Sequence, residues 1–300
     1  MNPSGDQHWI EADGQEAAVV EVGGGLRTYT VDGVDVLEGY GVDEMAAGGR
    51  GQNLLPWPNR IADGRYSFAG EDLQLALTEP GRHNASHGLV RWANWTARAD
   101  DGDRVVMGLT LHPQPGYPFT LDLEVEYRVG PGGLSVATTA TNLGDRPCPY
   151  GAGAHPYVTV GTDLVDDAVL LVPAEARLEV DGRGIPTGAV PVEDTPFDFR
   201  EAKAIGDLVA DHAFTELTGN EAVVASPDGQ RRVTLWWDSA YRWVMVFTGD
   251  TLAPARRRRG LAIEPMTCAP NAFVSGDGLR VLEPEEAWTT VWGIAAGGAS

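Results

Sequence analysis

Residues 121–141 read LDLEVEYRVGPGGLSVATTAT. Leu121, Leu123, Val125, Tyr127 and Val129 alternate with Asp122, Glu124, Glu126 and Arg128, so one side of the run is apolar and the other charged. A period of two is the pattern of a strand buried on one face. Residues 130–133, Gly-Pro-Gly-Gly, break the run before 134–141 resumes it with β-branched side chains. Stretches of similar character lie at 17–22, 26–31, 104–111, 168–172, 232–237, 243–248 and 287–294, and 65–75 (RYSFAGEDLQL) reads as a hairpin turning at 69–72. No window of a dozen residues sustains a helical period, and the 38 Gly and 20 Pro are spread along the chain instead of gathering into one linker. The expectation is an all-β fold, a large antiparallel β-sandwich spanning residues 1–300 as one domain, because each strand must bury its apolar face against a second sheet.

The 22 Lys and Arg against 43 Asp and Glu leave a formal charge of −21, which disfavours a polyanionic partner and removes nucleic acid from the expected ligands. The two cysteines, Cys148 and Cys268, form neither a disulfide framework nor a C-x-x-C metal or redox motif. Lys203 is the only lysine, so Schiff-base chemistry would rest on it alone. The first 25 residues lack the basic start and apolar run of a secretory signal, and no stretch holds the roughly 20 apolar residues of a spanning helix. A soluble, cytoplasmic protein without membrane partners is expected.

Three segments place polar groups among Gly, Pro and aromatic residues, where a plain sheet needs none. In 51–64 (GQNLLPWPNRIADG), two prolines flank Trp57 and constrain a loop that carries Asn59 and Arg60. Arg60 is then a fixed fork of donors, or a cap for carbonyls of its own loop. In 84–88 (NASHG), His87 offers a donor to a ligand hydroxyl, and Trp92 or Trp95 an apolar face for a sugar ring; a turn histidine is the plainer reading. His83 reads as a solvated loop residue. In 150–157 (YGAGAHPY), small residues and Pro156 hold the His155 imidazole, which suits proton transfer near neutral pH as readily as structural burial.

A partner for that imidazole is available in 261–273, LAIEPMTCAPNAF, where Glu264 ends a short apolar run just before Pro265. A carboxylate at the tip of a buried strand must be satisfied or used. Asp211, in ADHAFTEL, either accepts from sugar hydroxyls or forms an Asx-type turn. The run Arg256 to Arg259 either attracts an anion or is a solvated loop.

Taken in order, these segments resemble the aldose 1-epimerase (galactose mutarotase-like) family. The likeness runs from PWPNRIADGRYSFAG at 56–70 through HG at 87–88, PGYPF at 115–119, TNLGDRPCPYGAGAHPY at 141–157 and DHAF at 211–214. It ends with FTGDTL at 247–252 and AIEPMTCAPNAF at 262–273. The resemblance implies a large β-sandwich that interconverts the α and β anomers of a hexose such as glucose or galactose. It implies Glu264 as general base and His155 as general acid, with Arg60, His87 and Asp211 binding and orienting the sugar. A monosaccharide is the implied partner, no cofactor or metal is required, and a monomer or homodimer is expected. Ala154, Val158 and Pro265-Met266 depart from galactose-specific members and bear on which sugar is taken.

Mutarotation needs Glu264 ionised while His155 is protonated, and the two are expected to face each other a sugar's width apart, each favouring the other's charge. Arg60 would favour the Glu264 carboxylate. A bell-shaped rate profile that changes between about pH 5 and 8 follows from that arrangement. Two other functions fit the same residues. One is mutarotation of an anionic sugar, a hexose phosphate or sulfonated hexose, held by Arg60 or by Arg256 to Arg259. The other is a non-catalytic sugar-binding domain.

Overall fold

The structure is a computed structural model and describes residues 2–297. Two large antiparallel sheets organise it. Nine strands form the first, in the spatial order Lys203–Ala204, Val169–Leu171, Glu221–Ala225, Arg232–Trp237, Ala287–Gly297, Gly133–Asn142, Leu121–Gly130, Arg104–Leu111 and Thr96–Asp100. The second has six, in the order Tyr157–Val158, Leu261–Met266, Trp243–Phe247, Asp211–Leu217, Ala174–Val180 and Pro186–Pro191. One cluster of buried residues draws on both, with Leu123, Val125, Val136 and Ile294 from the first sheet and Phe214, Val244, Val246 and Ile263 from the second. The expected sandwich is therefore present: each sheet covers the apolar face of the other. A four-stranded sheet over residues 7–35 adds Ile10, Ala17, Val19 and Tyr29 to the same core. Among the described residues, helix is limited to the α-helical turn Ala272–Ser275 and the 3-10 turn Val165–Asp167, and no helix is long and apolar enough to cross a membrane.

The alternation in 121–141 becomes a hairpin of two ten-residue strands, paired from Leu121↔Asn142 to Gly130↔Gly133. Leu26–Val31, Arg104–Leu111 and Arg232–Trp237 have the bounds their sequences suggest. The 65–75 hairpin turns at 69–70, a tighter turn than expected. Expected strand 17–22 instead spans Gln15–Val20, because the chain turns at Gly23 and Gly24, both at positive φ. Strands with no clear sequence signal include Asp211–Leu217 and Pro186–Pro191. The latter is an exposed edge strand whose prolines stand at its two ends, where no ladder donor is needed.

Candidate active site

The second sheet has two different faces. Across it Asp211 pairs with Phe247, Phe247 with Ala262, Ala262 with Tyr157, and Met245 with Glu264. Directly paired residues project to the same side, so Asp211, Met245, Phe247 and Glu264 share one face, while Val244, Val246 and Ile263 enter the sandwich core. The shared face is the floor of a cavity of ≈ 420 Å³, within the roughly 300–1,000 Å³ typical of small-molecule sites. Arg60, His87, His155, Asp211 and Glu264 all line it, although they come from five separate parts of the chain.

Glu264 lies inside the strand Leu261–Met266 and not at its tip as expected; Pro265 continues the strand, paired with Val244. Glu264 is 2% exposed, and its carboxylate Oε2 is buried without a hydrogen-bond partner among the described residues. His155 follows the Gly151–Ala154 stretch, and its backbone is tied to residues 51–52: its amide donates to the Gln52 carbonyl (3.1 Å), and its carbonyl accepts from the Gly51 amide (2.9 Å). The ring stacks on Tyr157, with centroids 5.0 Å apart and planes 9° from parallel. Tyr157 is fixed in turn by donation to the Gly48 carbonyl (2.7 Å) and by the Arg50 guanidinium over its ring (4.4 Å). Gly49, at φ +80°, leaves room for the imidazole; a Cβ there would overlap the His155 ring.

His155 Nε2 stands 3.2 Å from Glu264 Oε1. This corrects the expected separation of a sugar's width: the two groups touch, side by side on one wall. The electrostatics differ from expectation as well. Burial raises the Glu264 pKa, reinforced by Asp211 and opposed by Arg60. Burial also lowers that of His155, with Arg91 and Arg50 adding to the effect. Desolvation thus opposes both charges and favours the neutral pair, with the proton on Glu264. Because the two shifts run in opposite directions, the one-proton state of the pair covers a wide pH window.

His87 occupies the left-handed region at φ +60°, next to Gly88, whose own Cβ would overlap the Leu55 carbonyl. The Asn59 amide donates to His87 Nδ1 (3.2 Å), leaving Nε2 as the ring's donor. Burial, followed by His155 and Arg91, holds the His87 pKa well below the ordinary histidine range. Arg60 lies on the short strand Arg60–Ala62, not in a loop, and it does not cap its own carbonyls. Its Nε and Nη2 donate to Glu79 at 2.8 and 3.2 Å. Burial opposes its charge, but Glu79 and Asp211 outweigh that and keep it protonated. Asp211 begins the strand Asp211–Leu217 and faces Arg60 (3.9 Å) and Arg82 (3.7 Å), where its sequence also allowed a turn.

The two indoles near His87 divide: Trp92 is half exposed and lines the cavity, and Trp95 is fully buried in the core. The run Arg256 to Arg259 lies away from the cavity. Arg256 pairs with Glu38 and Glu44, and Arg258 with Asp166 and Asp250. Arg257 and Arg259 have no carboxylate at ion-pair distance among the described residues, but no member of the run lines the cavity, and Arg60 is committed to Glu79. His83 is exposed and bound to Asp63. Sequence reasoning missed Glu79, Arg82 and Arg91, which also line the cavity. Isolated charged residues look the same in sequence whether they face a cavity or water.

Comparison with known proteins bears on the family and the fold. The chain is 36% identical over 287 residues to the uncharacterized protein YihR of Escherichia coli K12, covering 94% of this chain and 91% of that protein. It is 28% identical over 200 residues to the aldose 1-epimerase of the same organism, covering 63% and 57% of the two chains. In fold it matches the crystal structure of a GalM/aldose epimerase homologue from C. elegans, with a TM-score of 0.89 at 20% identity over 98% and 99% of the two chains. The aldose 1-epimerase family pattern extends over residues 7–294, which takes in all of both sheets but the end of one strand and every residue of the cavity, and this chain belongs to the aldose 1-epimerase family.

Proposed function

We propose that the chain interconverts the α and β anomers of a free aldose through acid/base ring opening in this cavity, with Glu264 as base and His155 as acid. The observation that carries the reading is the buried Glu264–His155 contact at 3.2 Å, which sets a carboxyl group and an imidazole side by side on one wall of the cavity. With that proton on His155, the Glu264 carboxylate takes the proton of the C1 hydroxyl. The C1–O5 bond breaks as O5 receives the His155 proton, leaving an open-chain aldehyde. Rotation about C1–C2 presents the other carbonyl face. On closure O5 attacks C1, its proton returns to His155, and Glu264 gives its proton to the carbonyl oxygen. Both residues regain their starting states.

Burial favours the neutral pair, so the ion pair must be formed at the moment of use. Arg60 favours the Glu264 carboxylate, and a sugar hydroxyl donating to Oε2 adds to that. His87 Nε2–H and Asp211 are the expected hydroxyl-orienting groups, and the rim indole of Trp92 offers an apolar face for the ring.

General acid and base groups each contribute about 10²- to 10⁴-fold, so Glu264→Gln and His155→Asn should each slow anomer exchange at least about a hundredfold. NMR or polarimetry on freshly dissolved α-glucose and α-galactose measures this. Near-wild-type rates in either variant refute its assignment, and tight sugar binding without acceleration would leave a sugar-binding domain as the function.

A further inference from the structure

Three guanidiniums line the cavity, and two of them are already paired. Arg60 and Arg82 both face Glu79 and Asp211. Arg91 has no carboxylate at ion-pair distance among the described residues. Its bonds are two long ones to neutral acceptors, Nη1 to the Gln52 side-chain oxygen (3.3 Å) and Nη2 to the Ser86 carbonyl (3.4 Å). A guanidinium carries five N–H donors, so three are left over. Arg91 is also partly withdrawn from water, and burial alone lowers its affinity for its proton. A cation held in this way is costly unless something pairs with it.

The charges around the cavity can be summed. Arg60 and Arg82 balance Glu79 and Asp211, the Glu264–His155 pair with its one proton is neutral, and His87 is uncharged. Arg91 remains as an unbalanced positive charge in a chain whose total is −21. We propose that the sugar taken by this cavity carries one fixed negative charge, a sulfonate or carboxylate, and that Arg91 is the residue that pairs with it. This rests on the epimerase reading of the same cavity and specifies its substrate class.

A planar guanidinium matches the oxygens of either group by paired hydrogen bonds. A phosphate monoester carries about −1.5 to −2 near neutral pH, and its surplus charge would face the Glu79 and Asp211 carboxylates. Pairing also bears on the chemistry. Burial is the main reason His155 holds a proton weakly, and the charge of Arg91 is the next. An anion on Arg91 cancels that second contribution and favours the protonated acid.

The test follows anomer exchange by NMR for glucose, glucuronate, 6-deoxy-6-sulfoglucose and glucose 6-phosphate, with the wild type, Arg91→Gln and Arg91→Lys. The expected result is a kcat/KM for one of the two monoanions at least about tenfold above that for glucose, weakened by added salt. That advantage should fall about 10- to 100-fold in Arg91→Gln and recover in part in Arg91→Lys. A preference for glucose, a preference for the phosphate over both monoanions, or an anion preference unchanged in Arg91→Gln overturns the proposal; catalysed glucose exchange would still uphold the epimerase reading. If no sugar is exchanged faster than in buffer, the epimerase reading fails. Calorimetric binding of the same sugars then decides the role of Arg91: monoanion affinity lost in Arg91→Gln supports it, and affinity unchanged overturns it.

Discussion

Burial moves the two central ionisable groups in opposite directions, and the consequence is measurable as a function of pH. On the proposed mechanism, anomer exchange needs one proton shared by the Glu264–His155 pair. Glu264, pushed up to about 8 by burial, holds the last proton across the neutral range. The rate should therefore be level from weakly acidic to neutral pH and fall as the pH rises through about 8, where the pair has no proton left to give. A rate that stays constant well into the alkaline range would contradict the shared proton. Stability carries the same signature. The folded carboxyl binds its proton more tightly than the unfolded one at 4.5, so its contribution is complete below 4.5 and is lost as the pH rises through about 8. Glu264→Gln removes that dependence, and its melting temperature should drop less than that of the wild type between roughly pH 6 and 9 in thermal melts. Sequence made Glu264 a candidate because an apolar run surrounds it. Arg91 carries no such mark, since whether a distant carboxylate reaches an arginine is settled only by folding.

At the scale of single elements, period two within one strand separates stability from chemistry. Ile263 and Glu264 are neighbours on opposite faces of the second sheet, the first fully buried in the sandwich core and the second in the cavity floor. Ile263→Ala should cost about 2–5 kcal/mol of stability while the rate per folded molecule stays near wild type. Glu264→Gln should show the opposite pattern, and chemical denaturation paired with anomer exchange separates the two. The turn that presents His87 is equally exacting. Gly88 sits at φ +73° against the Leu55 carbonyl, so Gly88→Ala should cost at least about 1–3 kcal/mol and lower activity by displacing His87. An unchanged melting temperature and rate would show that the turn tolerates a Cβ. Strands with strong alternation, such as Leu121–Gly130, were legible from sequence to within a residue. Asp211–Leu217 was not, because DHAFTEL opens with two polar residues that a turn accepts just as well, and pairing with Trp243–Phe247 is what makes it a strand.

For the whole molecule, the charge of −21 resists compaction. Exposed ion pairs contribute little each, so screening the net repulsion should dominate. Raising the salt from a few millimolar to physiological strength, where the screening length is about 8 Å, should raise the melting temperature. A fall would mean that the ion pairs dominate instead. The all-β class, the sandwich and the candidates His155, Glu264, Arg60, His87 and Asp211 were all readable from the chain. Side-chain alternation is a local property, and an ordered series of motifs survives without coordinates. What only the tertiary structure decided is how those residues stand to one another. It put Glu264 against His155, committed Arg60 to Glu79, and left Arg91 without a carboxylate at ion-pair distance among the described residues. Each of these depends on segments far apart in sequence meeting in space, and on the water that burial removes when they do. Those two quantities fix pKa values and free charges, and no local pattern of residues encodes them.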